Sequence, residues 1–142
     1  MKSLKILFVI STILLFVSSP TLAGDFDWIR NFNIKAEADL SGLRAELAAR
    51  FKIGNVEINT VLSNVERPVD AYMVLRLGEI SRQQTDYVIE KYKSGRDKGW
   101  GALAKSLGIK PGSKEFHALK RSQDIYNEKP KVKSKGKGKG KN

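Results

Sequence analysis

A single histidine, His117, and no cysteine occur in the 142 residues, and those two counts narrow the available chemistry. Without cysteine there is no disulfide, no thiolate-held zinc or iron–sulfur cluster, no thiol nucleophile and no acylated lipoprotein cysteine. His117 follows Glu115 and Phe116, with Arg121 one helical turn further on, and has no second imidazole or thiolate with which to share a metal. The acids are dispersed, so no serine, histidine and carboxylate grouping can be picked out by spacing. Asp25 and Asp27 match the opening of a calcium loop, but Trp28-Ile29 supplies neither the next oxygen ligands nor the turn glycine. The expectation is a non-enzymatic protein with no catalytic residue, metal or cofactor.

Residues suited to binding are more numerous. Lys129, Lys131, Lys133, Lys135, Lys137, Lys139 and Lys141 place seven positive charges in fourteen residues without an acid. Such a run attracts lipopolysaccharide phosphates, other anionic envelope polymers, acidic lipid headgroups or nucleic acid, at about 1 kcal/mol per lysine on an acidic bilayer. The plainer alternative is a solubilising end without a dedicated partner. Trp100 lies between Gly99 and Gly101, where its ring either forms an exposed contact surface or plugs the core between the flanking helices. Tyr72, Tyr87 and Tyr92 fit a helical core edge.

Gly99 to Arg121 reads locally as a helix-turn-helix, whose second helix carries Lys114, His117, Lys120 and Arg121 and has the basic character of one that enters a major groove. The same geometry is also a generic way to join two packed helices. Three functional readings follow: an interaction module attached by its lysine tail, a nucleic-acid binder using the last two helices, and an enzyme or accessory protein with a cleft near Trp100 and His117. The last requires both residues in one concavity. A protein partner is compatible with the first.

The elements that must position these residues begin after an export signal. Lys2 and Lys5 precede an apolar run from Ile6 to Val17, and Thr21-Leu22-Ala23 is a small-residue cleavage pattern. A spanning helix needs roughly 20 apolar residues, so residues 1–23 read as a signal peptide cut after Ala23, which sends the protein to the periplasm or the exterior. An uncleaved anchor is the alternative. The formal net charge is +11, yet the body from Gly24 to Glu128 has 17 basic and 15 acidic side chains, so the basic character belongs to the tail at 129–142. Alternating lysine and glycine cannot bury enough surface to offset chain entropy, and disorder is expected there. Hydrophobic residues at 41% and charged residues at 29% are close to ordinary globular usage and argue against a wholly disordered or multi-span chain.

Within 24–128 the apolar positions recur at three-and-four spacing, which predicts an all-α body of about six short helices. Leu43, Leu47, Ala48 and Phe51 share one face of the first. Asn55 is the expected N-cap of the second, which carries Glu57, Ile58, Val61 and Leu62. Pro68 starts the third, through Val69, Met73 and Leu77 to a stop at Gly78. Ser81 with Gln84 makes a capping-box pattern for the fourth, which bears Val88, Ile89 and Tyr92 and ends at Ser94-Gly95. The fifth spans about Gly99 to Leu107, with Gly108 left-handed and Ile109 folding back, and Pro111-Gly112-Ser113 turns into a sixth holding Phe116 and Leu119. Ile53, Ile80 and Ile109 each fall at a helix junction, at spacings of 27 and 29, a pattern compatible with three stacked helix-turn-helix hairpins or with an irregular six-helix bundle.

The segment from Lys98 to Lys120, KGWGALAKSLGIKPGSKEFHALK, resembles one found in small exported bacterial proteins of unknown function, and Ala71 to Ile80 is similar to the same group. The resemblance covers about a third of the mature domain and implies a bacterial envelope setting. It implies no reaction or cofactor, and it singles out Trp100, Pro111, Phe116 and His117.

Overall fold

The computed structural model describes residues 26–121 and 124–126, and the expected export signal at 1–23 and the lysine tail at 129–142 lie outside these residues. The described body is all-helical: α1 (Trp28–Ala38), α2 (Leu40–Phe51), α3 (Asn55–Ser63), α4 (Pro68–Ser81), α5 (Thr85–Gly95), a 3-10 turn (Arg96–Lys98), α6 (Trp100–Ser106) and α7 (Lys114–Arg121). No described helix is long and apolar enough to cross a membrane.

α4 is the central helix of the packing. Val69 through Leu75, Leu77 and Gly78 are all buried, so this helix is covered on every side. It packs against α1, α2, α3, α5 and α7, and the fully buried Tyr72, Met73 and Leu77 meet Phe32, Leu43, Leu47, Ile58, Val61, Val88 and Leu119 in a single core. At about 1.5–3 kcal/mol per fully buried large apolar side chain, this cluster supplies the main drive to fold.

Several helix boundaries differ from the sequence reading. α1 precedes the first expected helix and contributes Ile29, Phe32 and Ala36 to the core. Gly54, with extended backbone, caps α3, and Asn55 is its first helical residue. α4 continues past Gly78 to Ser81. Glycine is used there for close approach, since the Gln83 carbonyl oxygen lies 3.2 Å from where a Cβ would stand. Ser81 does not cap α5: its hydroxyl donates back to the Leu77 carbonyl at 2.6 Å, and Gln84 takes the N-cap position with no side-chain cap bond. Gly108 behaves as expected. At φ 83°, its N–H donates to Lys105 and the N–H of Ile109 to Ala104, the pair of bonds that closes a Schellman turn over α6.

The hairpin pattern has a geometric basis that the isoleucines mark imperfectly. Lys52 and Arg82 both take φ 57°, each is followed by two residues, and each pair ends in an extended residue, Gly54 or Gln84, before the next helix. The α2–α3 and α4–α5 connections are thus the same three-residue turn, thirty residues apart. Ile53 and Ile109 follow a left-handed residue, whereas Ile80 lies inside α4 before Arg82 and is out of register. The third connection, from α6 to α7, is longer.

Candidate functional site

Four residues from α4, its leading edge and the α5–α6 corner build the best-formed polar site. Asp70 is 2% exposed, and it is the one buried charged residue among those described. Its position follows from Pro68, which starts α4 and puts Asp70 in the first turn, where its carboxylate can reach back to the preceding N–H groups. Oδ2 accepts from the Arg67 main-chain N–H at 3.2 Å and from Arg67 Nε at 3.3 Å, and Oδ1 accepts from Arg67 Nη2 at 2.8 Å. The Tyr92 hydroxyl donates to Oδ2 at 2.9 Å and accepts from the Glu66 N–H at 3.3 Å. Hydrogen bonding to Asp70 pushes the Arg67 guanidinium further up, and burial pushes the Tyr92 phenol up. Neither group changes charge near neutral pH.

Trp100 opens α6 and lies over Tyr92, with ring centroids 5.6 Å apart and planes at 23°. It is partly buried against the core at the corner between α5 and α6. A cavity of about 150 Å³ opens beside it, lined by Arg67, Asp70, Tyr92, Asp97, Trp100 and Leu103 among others. On the far side of Arg67 and Trp100 an open groove continues along α1, past Ile29, Arg30, Asn33 and Ile34. The Asn33 side-chain carbonyl accepts from the Val69 N–H at 3.2 Å and pins α1 to the start of α4. Glu66 pairs with Arg96 at the rim.

The remaining expected surface is elsewhere. Lys114, His117 and Arg121 are exposed on α7, and Lys120 is half-buried, with its ammonium 4.8 Å from the Phe116 ring centroid and its carbonyl accepting from Trp28 Nε1 at 2.7 Å. None of the four lines either cavity that contains Trp100. His117 thus lines neither of the two cavities in which Trp100 takes part. Ser113 caps α7 through its hydroxyl, which accepts from the Phe116 N–H at 3.1 Å. Among the tyrosines, Tyr72 is wholly buried and Tyr87 is 41% exposed, so only Tyr92, 3% exposed with its hydroxyl bonded at the cavity, fits the edge position expected for all three.

A second polar cluster fastens the chain after α7. Asp124 accepts from the buried Tyr72 hydroxyl at 2.8 Å and from Arg50 Nε, and Arg50 also grips both oxygens of Glu79 at 3.0 and 2.9 Å. Arg76 donates to the same Glu79. Tyr126 sets its ring edge-on to Phe32, centroids 4.7 Å apart, with Lys35 over its face. Residues 124–126 are thus a strap tied to α1, α2 and α4, and the lysine run at 129–141 begins three residues beyond it. Burial acts to raise the Asp124 carboxyl, but its bonds to Arg50 and Tyr72 outweigh this and hold it low; Arg50 does the same to Glu79.

The sequence reading missed Arg67, Asp70 and the strap. Asp70 did leave a signal, as a lone acid inside the apolar stretch Val69 to Leu75 and two residues after a helix-starting proline. Among the described residues no group of three or more histidine or carboxylate side chains could hold a metal. No protein-family model, no curated protein and no solved structure matches this chain.

Proposed function

We propose that this protein is an exported, non-enzymatic helical interaction module that attaches through Lys129 to Lys141 to polyanionic envelope material. One observation carries the reading: seven lysines without an acid follow a body of nearly balanced charge, immediately after a strap that fixes where the chain leaves the bundle. A basic arm that follows a fastened segment would tether the body to a polyanionic surface without using its folded faces. The export signal at 1–23 and the resemblance to small exported bacterial proteins support an envelope setting, and polyanions with repeated phosphates are the partners whose chemistry such an arm suits.

A second reading has its own support. Residues 82–121 hold ten basic and four acidic side chains, and Lys114 and Arg121 are exposed on α7, so the body itself offers charge to a nucleic acid.

A salt titration separates the two. The full chain and a variant with the seven tail lysines replaced by glutamine are titrated against anionic vesicles, lipopolysaccharide and duplex DNA. Tail attachment predicts a DNA slope of up to roughly −6 in log K against log salt, falling toward zero in the variant. Binding that persists in the variant and weakens when Lys114, Lys120 and Arg121 are neutralised supports the nucleic-acid reading instead. Binding by neither form overturns both.

A further inference from the structure

We propose that the cavity beside Trp100 is a binding site for a free α-amino acid with an apolar side chain, its carboxylate on the outer edge of Arg67 and its ammonium on Asp97. Two unmatched opposite charges in one small concavity point to this ligand. Arg67 spends Nε and one Nη2 hydrogen on Asp70, and its Nη1 has no partner among the described residues. That leaves the Nη1–Nη2 edge, two parallel N–H groups, for a ligand carboxylate, the bidentate geometry that favours arginine over lysine. Because Asp70 is buried and takes three bonds from Arg67, the guanidinium is held in place before any ligand arrives.

Asp97, in the 3-10 turn, lines the same cavity and has no hydrogen-bond or ion-pair partner among the described residues. Glu66 and Arg96 form an ion pair at the rim, so their charges offset one another. One cationic edge and one carboxylate therefore remain, with Trp100, Leu103 and Tyr92 as apolar walls near them. A simple anion would leave Asp97 unanswered and a simple amine would leave Arg67 unanswered; a zwitterion answers both. The volume, about 150 Å³, is that of a cavity able to take one benzene-sized apolar group. Phosphate-rich ligands are disfavoured by the three carboxylates in the lining. This site is separate from the tail and stands whether or not the tail binds a polyanion.

The test is isothermal titration of the full chain with L-leucine, L-leucinamide, N-acetyl-L-leucine and L-glutamate. The expected result is saturable binding of leucine, with leucinamide and N-acetyl-leucine each at least tenfold weaker and glutamate rejected. Asp97→Asn should weaken leucine about tenfold while leaving N-acetyl-leucine unchanged, and because Asp97 is exposed and unpaired this variant keeps the fold. Arg67→Lys, which keeps the charge and removes the fork, should weaken leucine and N-acetyl-leucine but not leucinamide. Absence of leucine binding overturns the proposal. So does equal binding of leucine and its two blocked analogues, or an Asp97→Asn variant that binds leucine as the parent does.

Discussion

Replacing Arg67 by alanine should destabilise the protein far more than its position at the surface implies. The Arg67 side chain is 48% exposed, and by exposure alone its loss would cost within about 0.5 kcal/mol. Its partner is different, since Asp70 is 2% exposed and takes three of its four hydrogen bonds from Arg67. In Arg67→Ala the main-chain N–H and the Tyr92 hydroxyl remain, but the countercharge is gone and the carboxylate stays in the core. Leaving one member of a fully buried pair costs about 3–5 kcal/mol. Here the open cavity can admit water to Asp70, which lowers the expectation to about 2–3 kcal/mol. Asp70→Ala should cost about 2 kcal/mol, because Arg67 can turn into solvent while the helix loses its first-turn acceptor and Tyr92 loses one partner. The double variant should cost less than the sum of the singles by at least about 1 kcal/mol. Urea unfolding followed by far-ultraviolet circular dichroism measures all three, and at a slope of about 1 kcal/mol/M the Arg67→Ala midpoint should fall by about 2 M. A change under about 0.5 kcal/mol, or strict additivity in the cycle, would refute the view that Asp70 depends on Arg67.

Acid should loosen the strap before it unfolds the helices. Asp124 and Glu79 have carboxyls held below their ordinary values, so their bonds to Arg50 stabilise fully above about pH 4, the unfolded range, and are lost as pH falls through the lower folded values; amide exchange at 124–126 should quicken as pH falls below that range, before far-ultraviolet circular dichroism changes. Gly108→Ala forces an L side chain to φ 83° and should cost about 1 kcal/mol in urea unfolding, while Gly95→Ala, inside the last turn of α5 with open space at its Cβ, should be neutral or stabilising. Tyr72→Phe keeps the buried ring and removes the bond to Asp124, so a loss of about 1 kcal/mol and faster amide exchange in the strap are expected; unchanged exchange would mean that this bond does not hold the strap.

The helical class and the core faces of α2, α3, α4, α5, α6 and α7 were legible in three-and-four spacing, because each of these helices buries one or more apolar rows. The α6 terminus was legible down to its backbone, since Gly108 followed by Ile109 specifies a Schellman turn locally. α1 was missed even though Ile29, Phe32 and Ala36 are spaced for one face, because Asp27, Arg30, Asn33 and Lys35 dilute the stripe. Lys52 and Arg82 carried no signal for their left-handed turns, as neither is glycine or asparagine; packing of the flanking helices sets those angles. The Arg67 and Asp70 pair lies three residues apart, yet its meaning depends on Tyr92 and Trp100 arriving from a different hairpin, and no local pattern records that meeting.

The placement of the strap also decides whether attachment and ligand binding can occur together. Trp28, Phe32 and Lys35 fall on one face of α1 at 100° per residue, and Phe32 and Lys35 hold Tyr126. Arg30, Asn33 and Ile34, which line the groove beside Trp100, fall on the opposite face. α1, about 10 Å across with its side chains, thus separates the strap at 124–126 from the cleft. If attachment runs through the tail, as proposed, the described body is tethered from its strap side and the cleft does not lie at the point of tethering. Leucine affinity should accordingly be the same for the full chain free and bound to anionic vesicles, and a loss of affinity on vesicles would place the cleft, contrary to this geometry, on the attached face.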